Sequence, residues 1–112
     1  MEDFALKNPE EVRQELDALS LEMADKLYTF RRLDEHKKIT LAQQTIQIKI
    51  KTDCSISEAE KRALTSNEYK TLIEGLVVAE KEYSISRSRY SNLQSWVDLY
   101  RTWVVSNREI GR

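Results

Sequence analysis

Trp96, Leu99, Tyr100, Trp103 and Val104 gather two tryptophans, a tyrosine and two aliphatic residues into one short stretch, at three- and four-residue spacings. On a helix that spacing lines side chains along one flank. Trp and Tyr dominate interface hot spots because they offer large contact area for little lost rotamer freedom. These five residues are therefore read as an oligomer or partner interface. Two other readings stay open: burial against Phe4, Leu6 and Val12, and stacking of nucleic-acid bases on the aromatic rings.

A second group is cationic. Lys37, Lys38, Lys49, Lys51, Lys61 and Arg62 lie around the middle of the chain, and Arg87 and Arg89 interleave with Tyr83 and Tyr90 further on. Such residues can track a phosphate backbone, so the first six are candidate nucleic-acid contacts. Against this stands a net charge of −1, since general polyanion binders carry a strong basic excess. Ordinary solvated helix charge is the competing reading.

Residue types that perform catalysis are poorly arranged. His36 and Cys54 are the only histidine and the only cysteine, whereas a structural zinc site takes four ligands, mostly of these two types. Glu58 and Glu60, like Glu80 and Glu82, are two residues apart and point to different sides of a helix, which prevents them from working as an acid–base pair. No glycine-rich phosphate loop and no G-x-S-x-G motif is present. The sequence is read as non-enzymatic, with no catalytic residue, metal site or cofactor.

The elements that must position these residues follow from composition and period. One third of the chain is charged, and there are two glycines and one proline in 112 residues, a composition that favours long exposed helices. The length suits a single unit. A lone cysteine excludes an internal disulfide and fits a reducing compartment. No apolar run approaches the roughly 18–20 residues of a membrane span, and no signal-peptide pattern is present. The expectation is a cytoplasmic, soluble protein with no membrane partner.

Residues 1–8 read as an arm. Asn8 can cap a helix that opens on Pro9, with Glu11 completing a capping-box variant. Val12, Leu16, Leu19, Met23, Phe30 and Leu33 then recur as a heptad seam, with Lys26 in the skipped slot. After five consecutive polar residues at 34–38, Ile39, Ala42, Ile46 and Ile50 continue the spacing on a shifted face. The alternating IQIKIK of residues 46–51 also suits a strand, but a lone strand has nothing to pair with, so helix is expected. Two overlapping boxes, Ser55-x-x-Glu58 and Ser57-x-x-Glu60, restart a helix after a turn at 52–57. Its seam runs Leu72, Leu76, Ala79, Tyr83, Ser86, Tyr90, Leu93, Val97, Tyr100 and Val104 without a slip.

Charge supports a fold-back. Residues 1–25 carry −6, 26–52 carry +5, 53–82 carry −3 and 83–112 carry +3. Reversal near Cys54 sets opposite signs side by side, whereas a parallel arrangement would set −6 against −3. The expected fold is all-α: one antiparallel two-helix hairpin with helices at about 9–52 and 57–108. Because two helices cannot bury a deep core, a homo-oligomer is expected as well.

Several motifs carry a resemblance: Glu15–Lys26 (ELDALSLEMADK), Lys51–Glu60 (KTDCSISEAE), Ser66–Lys70 (SNEYK), Ala79–Tyr83 (AEKEY) and Leu93–Thr102 (LQSWVDLYRT). Together they resemble small coiled-coil proteins encoded by bacteriophages and prophages, whose genes often lie near those for recombination or single-strand DNA handling. The resemblance covers most of the chain and assigns no functional residue. It implies an accessory role in the host cytoplasm. Three roles are weighed: a self-associating protein that docks an unidentified protein partner, a single-stranded nucleic-acid-binding accessory, and a small anti-host factor whose carboxylate-rich N-terminal block imitates DNA.

Overall fold

The computed structural model describes residues 8–110. Phe4, Leu6 and the rest of the expected arm before Asn8 lie outside them. The described residues form three helices and no strand: α1 Pro9–Thr52, α2 Ile56–Leu64 and α3 Asn67–Ile110. The chain is all-α.

At the start of α1, Asn8 Oδ1 accepts the Glu10 N–H at 2.9 Å, satisfying one of the free first-turn donors. Glu10 and Glu11 lie in that first turn, where carboxylates suit the positive end of the dipole. The helix runs unbroken through residues 34–38, where Lys37 bridges Asp34 one turn back at 3.5 Å, and through 46–51. Thr45 and Thr52 turn their hydroxyls onto the carbonyls of Leu41 and Ile48, both at 2.7 Å. The strand-like alternation loses because α1 already supplies every interior backbone group with a partner. Asp53 ends the helix in the left-handed region (φ 50) and donates its N–H to the Lys49 carbonyl at 3.0 Å, closing α1 as an αL cap.

Ser55 starts α2 by accepting the Glu58 N–H at 3.2 Å. The sequence reading then needs a correction: the second half of the chain is two helices, where one was expected from about 57 to 108. Thr65 and Ser66 break it. Their hydroxyls donate to the carbonyls of Arg62 and Ala63 at 3.0 and 2.7 Å. Ser66 Oγ also accepts the Tyr69 N–H at 3.3 Å, so one hydroxyl closes α2 and caps α3. Thr, Ser and Asn side chains compete with helical backbone bonds in this way.

Contacts divide the chain into two compact units, Met1–Asp25 with Ser84–Arg112, and Lys26–Tyr83. In the first, Val12 and Leu16 share a groove with Trp96, Val97 and Tyr100, Leu19 shares one with Leu93, and Glu22 reaches Arg89 at 4.0 Å. Its α1 and α3 segments therefore run in opposite directions. In the second, Lys26 bridges Glu82 at 3.1 Å, and Leu41 and Thr45 share a groove with Leu64 of α2. The Glu22–Arg89 pair joins the first charge block to the fourth, and Lys26–Glu82 joins the second to the third. Both pairs are partly solvated, so each adds under about 1 kcal/mol. They select register more than they stabilise.

The ten seam positions of α3 are all buried or half-buried. The three most enclosed of the described residues are small: Ala59 and Ala63 of α2 and Ser86 of α3. Small side chains let helix backbones approach closely, so contact area comes from proximity. On α1 the expected shift of face does not occur. Leu33, Lys37, Thr40, Leu41, Gln44, Thr45 and Ile48 are half-buried and keep the frame set by Val12–Leu33. Ile39, Ile46 and Ile50 are 52, 59 and 77% exposed. A two-helix contact leaves seam side chains half in water, so Lys37 and Gln44 can lay their stems on the seam with heads solvated. Within the Lys26–Tyr83 unit, rotating the helix to bury the isoleucines would expose Leu33, Leu41 and Ile48 instead.

Candidate partner interface

The C-terminal part of α3 positions the aromatic group. Trp96 and Tyr100, one turn apart, stack with ring centroids 5.4 Å apart and planes 11° from parallel. Tyr100 and Trp103 follow at 6.0 Å and 33°. These separations fall in the attractive range for offset aromatic pairs. The ladder flanks a groove of about 290 Å³ whose opposite wall is Pro9, Val12, Arg13 and Leu16 of α1, with Arg101 at the rim. Val12 is buried there, so part of the ladder's apolar area is covered within the unit. Trp96, Tyr100 and Val104 are half-buried, while Leu99 and Trp103 stay exposed, as does Val105. The five expected interface residues thus divide: Trp96, Tyr100 and Trp103 form one ladder, Val104 belongs to the seam, and Leu99 faces solvent. An aromatic face rimmed by Arg13 and Arg101 can bind through stacking and cation–π contacts.

The expected nucleic-acid contacts are less unified. Lys37 is paired with Asp34, Lys49 Nζ donates to the Cys54 carbonyl at 3.2 Å, and Arg62 bridges Glu58 at 3.2 Å. Lys38, Lys51 and Lys61 are exposed. All six belong to the Lys26–Tyr83 unit and all the ladder aromatics to the other. Cys54 is half-buried at the turn, its Sγ 3.2 Å from Thr52 Oγ1. Among the described residues, no three His, Cys, Asp or Glu side chains converge on a point, and no helix is long and apolar enough to cross a membrane.

No family model, curated protein or solved structure matches this chain.

One surface escaped the sequence reading. Ala42, Ile46 and Leu64 line a groove of about 440 Å³ between α1 and α2, rimmed by Lys38 and Glu60, with Ile39 and Ile50 extending it along α1. The signal was present: α1 carries more apolar positions at heptad spacing than one partner helix can cover. The sequence places Ile39, Ala42, Ile46 and Ile50 on a shifted face, which reads as the same contact continued and not as a second, uncovered row.

Proposed function

We propose that this chain is a non-enzymatic, phage- or prophage-type coiled-coil protein that folds as an antiparallel hairpin, self-associates, and docks a protein partner in the host cytoplasm through its aromatic face. The observation that carries the reading is the Trp96–Tyr100–Trp103 ladder, whose last member is 42% exposed, with Leu99 also exposed on the same flank. Exposed aromatic and aliphatic side chains in one patch are what an association surface presents. Sedimentation velocity tests it: the parent chain forms a dimer or larger species that persists in high salt. Leu99→Ser with Trp103→Ser, both at exposed positions, shifts it towards monomer with helicity unchanged. A parent chain that sediments as a monomer at micromolar concentration refutes the reading.

Single-stranded nucleic-acid binding is the second reading, favoured by the exposed Lys38, Lys51 and Lys61. It requires binding to single-stranded DNA that weakens steeply with salt and is lost on reversing these lysines to Glu. A mobility assay at low salt that shows no shift removes it.

A further inference from the structure

We infer that α1 binds the α1 of a second copy in antiparallel fashion, through a row centred on Ala42 and on a surface separate from the aromatic ladder. The inference rests on the self-association proposed above but places its contact on this row instead of on the aromatic face.

Tyr28, Ile39, Ala42, Ile46 and Ile50 are all exposed. At 100° per residue they stay within an arc of about 80°. The half-buried residues Leu33, Lys37, Gln44 and Ile48 sit on the opposite side of α1. Between residues 39 and 50 the helix therefore carries an apolar row that the fold leaves uncovered, opposite a covered face that mixes Leu33 and Ile48 with the stems of Lys37 and Gln44. A helix packed on one side with an apolar row exposed on the other has room for a further helix. The row's three- and four-residue spacing is that of a coiled-coil seam, so the shape it fits is another helix. Leu64 of α2 widens the same surface and is also exposed.

The row is complementary to itself when reversed. With the twofold axis at Ala42, Ile39 packs over Ile46 of the other copy, and the smallest side chain of the row stands where the two helices come closest. The charged positions then match in sign: Arg32 meets Asp53 of the second copy, and Glu35 comes beside its Lys49. A parallel pairing would set Arg32 on Arg32 and Glu35 on Glu35 inside the seam, a like-charge clash that antiparallel pairing removes. Charge thus selects the orientation and the apolar row supplies the contact.

Cysteine cross-linking in a Cys54→Ser background tests the register. Ala42→Cys, which faces its own copy across the axis, gives a covalent dimer on mild oxidation. Ile39→Cys alone does not, because its two copies lie about 10 Å apart along the helix, beyond disulfide reach. A mixture of Ile39→Cys and Ile46→Cys chains gives the mixed dimer. Self-linking of Ile39→Cys without the mixed product, or failure of all three, overturns the inference. Sedimentation separates it from the aromatic reading. Ile46→Glu, at an exposed position and with helicity checked, weakens self-association by at least about tenfold. If Ile46→Glu leaves association intact while Leu99→Ser with Trp103→Ser abolishes it, this surface is wrong and the aromatic one stands. The reverse result sinks the aromatic reading and supports this one.

Discussion

Two leucines of the same structural unit give the most direct test of the packing. Leu93 is 8% exposed and Leu21 is 74% exposed, and both sit within helices. Truncating a buried leucine to alanine typically costs about 2–5 kcal/mol, the larger values where the cavity cannot collapse. Leu93 lies in a single contact layer with water nearby, so neighbouring side chains can relax and a value near 2–3 kcal/mol is expected. Leu21 keeps about a quarter of its surface from water, so Leu21→Ala removes roughly 0.5 kcal/mol of burial. Alanine's slightly better helix propensity offsets part of even that. The expected difference between the two variants is therefore about 2 kcal/mol, or some 8 °C in melting temperature for a chain of this size. Urea titration followed by helical ellipticity reads it, with both variants at one protein concentration because association shifts apparent stability. An unchanged slope with a lower midpoint for Leu93→Ala alone is the expected result. Equal losses at the two sites would mean that α1 and α3 do not meet along the face described.

Two further outcomes are expected. Gly75 lies inside α3 with ordinary backbone angles, and a methyl group built there meets nothing within 4 Å; Gly75→Ala should stabilise by about 0.8–1 kcal/mol, and a destabilised variant in the same titration would contradict the open surroundings. Ser66→Ala removes the hydroxyl that both closes α2 and caps α3, and should cost roughly 1 kcal/mol; a variant as stable as the parent would show that the break at residues 65–66 is held by something other than this side chain.

Much of the helical content was legible because it depends on local chemistry. Asn8-Pro9 and Ser55-x-x-Glu58 start helices through bonds that reach only two or three residues along the chain. The α3 row from Leu72 to Val104 repeats so regularly that one buried face is its only economical reading. The break at Thr65-Ser66 was equally local and was passed over: the Thr-Ser-Asn run at 65–67 carries the competing hydroxyls, but the unbroken row that follows masked it. Trp96, Tyr100 and Trp103 could be grouped by spacing, and Val104 already stood in the seam row, whereas the ring contacts depend on rotamers that spacing does not set.

What the order of residues fixed by itself is the set of helices, their caps and the periodic rows upon them, since each depends on neighbours within one or two turns. Which α1 row is covered was decided only when the chain packed. Leu41, Ile48 and the isoleucines at 39, 46 and 50 carry similar hydrophobic character, and local pattern does not rank them. Packing within the Lys26–Tyr83 unit ranks them: Leu33, Lys37, Leu41 and Ile48 share the covered face of α1. Ile39, Ile46 and Ile50 are left on the outside, since one contact layer covers only one face of a helix.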